Sequence, residues 1–307
     1  MLVPGFPRAD DPVTPEPLAR SRIERACPWL APVSLVPLGR GWDHDVWLAN
    51  DTTVVRFPRN DFARWSLDAE MLWLPWLASR LPLAVPLVVV VEVEESGLAV
   101  PFAHHPMIPG KTLADCAAPV EMLPERARSL GAFVRALHSV DLADGPRSLD
   151  GDRIGRLDVA GRTPSTLEQL ATMEAQRVLA PNVARSLASG LRAAQPLSES
   201  APRVVAHGDL HPGNILADER GRLTGVIDWV DLHANGRAVD LATAYETFPA
   251  SARGEFFHAY GDVDAETLAL ARWRGIDHSV RAYFGALERS DAGLARVVRA
   301  ALIEMAA

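Results

Sequence analysis

His207-Gly208-Asp209-Leu210-His211-Pro212-Gly213-Asn214 is the stretch on which the fold turns. Val204-Val205-Ala206 precede it and Ile215-Leu216 follow, so a polar loop lies between two short apolar strands, a rigid mount for aimed side chains. Fourteen residues past Asn214 stands Asp228, at the end of the next strand in RLTGVIDW, reached through the turn Asp218-Glu219-Arg220-Gly221. Asp209, Asn214 and Asp228 are therefore expected to converge. Asn214 and Asp228 offer two side-chain oxygens, which suits a hard cation such as Mg²⁺ whose remaining ligands are phosphate and water. Asp209 is left to orient an attacking hydroxyl and accept its proton. The same letters allow another reading, because His207, Asp209 and His211 form HxDxH, which on a strand would set three metal ligands on one face, as in a metallohydrolase. The remaining histidines are scattered and supply no second cluster.

HGDLHPGN resembles the catalytic loop of the aminoglycoside and macrolide phosphotransferases of the kinase-like superfamily, and Ile227-Asp228-Trp229 stands where protein kinases carry DFG. The resemblance implies Asp209 as catalytic base and Asn214 and Asp228 as magnesium ligands. It extends upstream in order. Leu38 to Val46 is similar to the glycine-rich loop over the nucleotide phosphates, with Gly39, Gly41 and Val46 matching and His44 in place of the third glycine. Arg56 takes the place of the strand lysine on the phosphates, and Glu70 that of its helix partner. Met107 and Ile227 complete the implied nucleotide-binding set. Asp240 matches the helix-start aspartate that supports the loop. His207 is expected to hold the loop's shape, and His211 either faces the γ-phosphate or is structural. Asp231 is a loop organiser or a substrate contact.

The implied fold is α+β, a two-lobed protein-kinase-like fold with a β-rich N-lobe and a mainly helical C-lobe. Residues 1–17, with five prolines, read as a flexible tail, followed by an N-terminal nucleotide-binding lobe over 18–102, a hinge over 103–110 and a catalytic lobe over 111–307. Six of the eight tryptophans precede the hinge and are expected to fill the small lobe's core. Strands are predicted from Ser34 and Thr53, around the turn Asn50-Asp51, then at Val85–Val93 and Leu98–Phe102. Helical spacing marks the segment from Asp61, kinked at Pro75, then the run after Pro124, one stretch from Pro164 to Ala193, and everything past Asp240.

Only twelve positions separate Asp228 from Asp240, too few for a protein-kinase activation segment, so the expected acceptor is a small molecule. A net charge of −8 argues against nucleic acid or an anionic membrane as partner and favours a neutral or cationic acceptor. The expected donor is ATP or GTP with Mg²⁺. Macrolides, aminoglycosides and metabolic alcohols of choline, sugar or homoserine type all remain open, as does a non-catalytic nucleotide-binding pseudokinase. Two isolated cysteines, no apolar run of spanning length and no signal-peptide pattern lead to the expectation of a cytoplasmic monomer. Lys111 is the sole lysine against thirty arginines, which makes Arg56 a mechanistic question, since the two cations are not interchangeable.

Overall fold

The computed structural model describes residues 14–40, 43–116, 119–198, 201–288 and 291–307. Residues 1–13 of the expected tail, and Gly41 and Trp42 of the glycine-rich loop, lie outside the described residues. Helix α1 (Glu16–Ala26) opens inside the expected tail, with Pro17 in its first turn where a missing N–H costs nothing. Strands β1 (Leu35–Arg40), β2 (His44–Ala49) and β3 (Thr53–Pro58), helix α2 (Asp61–Ala78), and strands β4 (Val89–Glu95) and β5 (Leu98–Pro106) follow. The five strands form one antiparallel sheet in the order β1-β2-β3-β5-β4. Asn50 and Asp51, both with positive φ, turn β2 into β3, and Ser96-Gly97 do the same between β4 and β5, as the twist of tight hairpins requires.

β5 continues to Pro106, so the first four residues of the expected hinge belong to the sheet and the connection shortens to Met107–Gly110. Strand β6 (Lys111–Thr112) then pairs with β8 (Ile215–Ala217), itself paired with β9 (Leu223–Val226). Strand β7 (Arg203–Ala206) pairs instead with β10 (His233–Gly236), whose sequence HANG carries no strand signal. The helices are α3 (Leu123–His138), α4 (Val159–Ala175), α5 (Pro181–Ala193), α6 (Ala238–Leu241), α7 (Thr243–Thr247), α8 (Ala250–Tyr260), α9 (Ala265–Glu288) and α10 (Ala292–Ala306). The single helical stretch expected from Pro164 is two helices. Asp158 caps α4 earlier by accepting from Gly161 N, and Arg177, with φ of 58°, breaks the chain before Pro181 starts α5.

Two cores result. The smaller packs Ala19, Ile23 and Cys27 of α1 against Val55, Phe57 and Phe102 of the sheet. The larger joins Trp73, Leu74 and Leu77 of α2 to Leu130, Phe133 and Leu137 of α3 and on to Trp229 and Trp273. Burying each such side chain contributes about 2 kcal/mol, so part of α2's apolar face stabilises the helical lobe as well as its own sheet. The tryptophan expectation needs correcting: Trp73 is fully buried but in this shared core, while Trp29 is 67% exposed on a short 3-10 turn. No helix among the described residues is long and apolar enough to cross a membrane.

Candidate active site

The loop 207–214 owes its shape to Asp240, fully buried at the start of the helical lobe's last layer. Its Oδ2 accepts from His207 N and its Oδ1 from Gly208 N, both at 2.8 Å, and His138 Nε2 lies 3.2 Å from Oδ2. Burial alone would raise this carboxyl, but His138, His207 and the Gly208 amide outweigh it and hold it below the usual range. His207 uses both ring nitrogens within the loop: Nδ1 accepts from Asp209 N at 3.2 Å, so the proton sits on Nε2, which donates to Ile227 O at 3.0 Å. Gly208, with φ of 86°, has no room for a side chain, since a Cβ there would lie 2.5 Å from Asp231 O.

The β8–β9 pairing sets Ile215 opposite Val226 and so brings Asn214 and Asp228 to the same end of the ladder. Ile227 N donates to Asn214 O and Asn214 Nδ2 to Asp209 O, each at 2.9 Å. These bonds leave Asn214 Oδ1 and the Asp228 carboxylate as oxygen donors. Burial pushes the Asp228 carboxyl up to about 7; Arg56 opposes the shift, while Asp43, Asp209 and Glu70 add to it. No hydrogen bond or ion pair among the described residues reaches this carboxylate. An acid that is open to the cleft, without a partner among the described residues, beside a second oxygen ligand and amid other acids fits a divalent cation. Asp228 also carries φ of 63°, a sparsely populated region for a residue with a side chain.

On the sheet side, Gly39 pairs with Val46 and Val46 with Arg56 across neighbouring strands. Arg56 Nη2 donates to Glu70 Oε2 at 2.5 Å, and both side chains are buried. Arg56 Nε is buried with no hydrogen-bond partner among the described residues, an orphan donor that a phosphate oxygen would satisfy. Met107, just past β5, donates its N–H to Thr52 O at 2.8 Å and is 37% exposed.

The other wall of the cleft comes from residues that carry no local motif. Asp209 keeps 29% of its side chain exposed. His211 Nε2 faces its Oδ2 at 3.6 Å, while His278 Nε2 and Arg274 Nη2, both from α9, face its Oδ1 at 3.4 and 3.8 Å. Burial would raise the Asp209 carboxyl, but His211, His278 and Arg156 hold it well below the carboxylate range; in return Asp209, Glu246 and Asp228 outweigh burial at His211 and raise that imidazole. Asp231 pairs with Arg156, which also reaches Asp152 at 3.2 Å. Buried Asp277 accepts from Arg162 Nε and Arg281 Nε, each at 2.8 Å, and from Thr166 Oγ1 at 2.6 Å. Residues 274, 277, 278 and 281 share one face of α9 by the i, i+3, i+4, i+7 rule, and that polar stripe was the available signal.

The HxDxH reading fails on this geometry. His207 has no free nitrogen, and 207–211 is a loop rather than a strand. Asp209, His211 and His278 do bring ligand atoms within 4.8 Å of one another. His211 Nδ1, however, accepts from Gly213 N, so its Nε2 carries a proton and presents a donor rather than a lone pair.

Comparison with known proteins agrees with this architecture. The GDP and kanamycin complex of APH(2")-IIia superposes with a TM-score of 0.67 at 19% identity, covering 93% of this chain and 97% of that one. Macrolide 2'-phosphotransferase type I gives a TM-score of 0.51 at 20% identity over 88% and 90%. A curated relative, Uncharacterized protein YcbJ of Bacillus subtilis (strain 168), is 44% identical over 43 residues; the match spans only 14% of each chain. The family model described as the Phosphotransferase enzyme family matches residues 34–276, from the first strand of the sheet to the α9 wall of the cleft, and the chain belongs to that family.

Proposed function

We propose that this protein transfers the γ-phosphoryl group of ATP or GTP to a hydroxyl of a small molecule, with Mg²⁺ as cofactor. The observation that carries the reading is the bonded assembly of Asp209, Asn214 and Ile227-Asp228 at the end of the β8–β9 ladder. Asn214 and Asp228 would hold the cation, which when bound neutralises charge on the phosphates. Gly39, Val46, Met107 and Ile227 would line the nucleotide, as would Gly41, which lies outside the described residues, and Arg56, fixed by Glu70, would offer Nε to a phosphate oxygen. Asp209 orients the acceptor hydroxyl and takes its proton as the new P–O bond forms and the bond to the β-phosphate oxygen breaks. His207 and Asp240 keep the loop in shape, and His211, held by Gly213 N, turns its Nε2–H toward Asp209 beside the reacting group.

The acceptor is proposed to be neutral or singly charged. On the acceptor side Asp231 is paired with Arg156, Asp277 with three arginines and Glu246 with His278, so these carboxylates are not open to a polycation. That arrangement supports a macrolide-type or metabolic alcohol over an aminoglycoside, although the solved structures of like fold include both antibiotic classes. The deciding experiment measures Mg-dependent nucleotide consumption across macrolides, aminoglycosides, choline, sugars and homoserine. Acceptor-dependent turnover that vanishes in Asp209→Asn supports the reading. Tight Mg-nucleotide binding with no turnover on any acceptor overturns it in favour of a pseudokinase.

A further inference from the structure

The hydrogen bonds that shape the catalytic loop end at its backbone. Asp240 fixes the amides of residues 207 and 208, and Asn214 fixes the carbonyl of residue 209, but none of these bonds sets the torsions of the Asp209 side chain. Two elements outside the loop supply that constraint. Glu246, from α7 and only 8% exposed, meets His278 Nδ1 with its Oε2 at 2.6 Å. The opposite nitrogen of the same ring, Nε2, faces Asp209 Oδ1 at 3.4 Å. The imidazole thus lies between two carboxylates, one at each ring nitrogen.

We infer that Glu246 and His278 form a positioning dyad for Asp209: Glu246 anchors the ring, and the ring's Nε2–H fixes Asp209 Oδ1 so that the carboxylate meets the acceptor hydroxyl in one orientation. The inference rests on the reading of Asp209 as the base. His211 and Arg274 do not duplicate the role. His211 addresses the other oxygen and is held by Gly213 N of the same loop. Arg274 lies 3.8 Å from Oδ1 and is drawn to Asp277 at 3.7 Å on its other side. The dyad carries a short bond from a third element, α7, to the α9 ring whose other nitrogen faces the base. Proton abstraction requires close approach and alignment, and a displacement on the order of 1 Å costs about a hundredfold in rate, which sets the scale of the effect.

The test uses the full chain with the acceptor found by the panel above, and variants His278→Gln, His278→Ala, Glu246→Gln and the double variant Glu246→Gln/His278→Ala. The expected result is a fall in kcat of about ten- to a hundredfold for His278→Ala, with KM for nucleotide and acceptor within about threefold of the parent. Glu246→Gln is isosteric and should move kcat in the same direction by less. The double variant should be no slower than His278→Ala, because Glu246 acts only through the ring. Thermal unfolding of each variant separates a folding defect from a positioning one; Gln at 278 covers the case in which Ala destabilises α9. Unchanged kcat in both His278 variants, a loss confined to acceptor KM, or additive losses in the double variant would each overturn the inference. Retained turnover in Asp209→Asn would instead overturn the reading of the base, whatever the dyad variants do.

Discussion

The floor and the roof of the cleft solve the problem of buried charge in opposite ways. In the floor, residues 207–214, backbone amides and histidines are gathered around carboxylates: Asp240 takes two amides, and Asp209 faces His211 Nε2 and raises the pKa of that ring. In the roof, β1 to β5 and the residues that follow β3, the buried cations are Arg56 and Arg59, and the histidines near Arg56 are driven toward neutrality. Burial, then the charge of Arg56, lowers His44 well below its ordinary value and His105 to about 4. The floor is therefore shaped by many directional bonds to backbone, whereas the roof relies on buried ion pairs, Arg56–Glu70 and Arg59–Asp45, and on the field around Arg56. Substitutions in the floor should separate chemistry from shape; those in the roof should alter electrostatics first.

The largest effect tests the chemical half of the floor. Asp209→Asn keeps the residue's carbonyl, and with it the bond from Asn214 Nδ2, but removes the proton acceptor. We expect kcat to fall by about 10²–10⁴ with nucleotide affinity within about threefold, read by turnover and by isothermal titration. The shape half is tested by Asp240→Ala. Two buried amide donors and His138 lose their partner together, and the expected loss is about 3 kcal/mol of stability by chemical denaturation. If Asp240→Ala proves neutral in stability, the loop's shape does not depend on this carboxylate.

How much of this was legible in the sequence follows the same division. The floor could be read because its parts are contiguous: eight residues, one strand pairing and Asp240 twelve positions past Asp228. The sheet's strands were legible from β-branched runs and the Asn50-Asp51 turn. The acceptor wall was not. Arg274 and His278 reach Asp209 from 65 and 69 positions downstream, and Glu246 meets only His278; the polar stripe of α9 marks a face but not what that face packs against. The start of α1 was missed because prolines suggested a tail to residue 17, yet Pro17 is compatible with a first helical turn. β10 was missed because Ala, Asn and Gly are poor strand formers, and the register with β7 decides the matter instead.

The roof's field predicts a pH dependence of its own. The folded-state pKa of His105 lies below the ordinary value of about 6.5, so between pH 6.5 and 4 the unfolded chain binds a proton that the folded chain does not. Stability at His105 is thus intact above about 6.5 and lost as pH falls toward 4. His211, with its pKa raised, has the opposite sign: its contribution is present at low pH and fades as pH rises through the folded value. Replacing His105 with Gln should therefore flatten the acid side of the stability profile by about 2 kcal/mol between pH 7 and 4.5, measured by urea midpoints. Equal slopes in parent and variant would show that burial near Arg56 does not govern the roof's histidines.

The smallest effect comes from the position where this chain departs from the phosphate-binding lysine expected in the kinase-like superfamily. Arg56 already gives Nη2 to Glu70 and retains Nε as a buried donor without a partner among the described residues, so in the proposed role its fork would serve carboxylate and phosphate at once. A lysine has the charge but a single ammonium centre, which must lie between the two anions. In Arg56→Lys the pair with Glu70 should survive, stability should change by less than about 1 kcal/mol, and KM for nucleotide should rise about two- to fivefold with kcat nearly constant. A fall in kcat that exceeds the rise in KM would place the guanidinium on charge that develops only in the transition state. The distinction matters for the comparison, because it would mean that the roof takes part in the chemistry and does not merely bind the nucleotide above a floor that does the work.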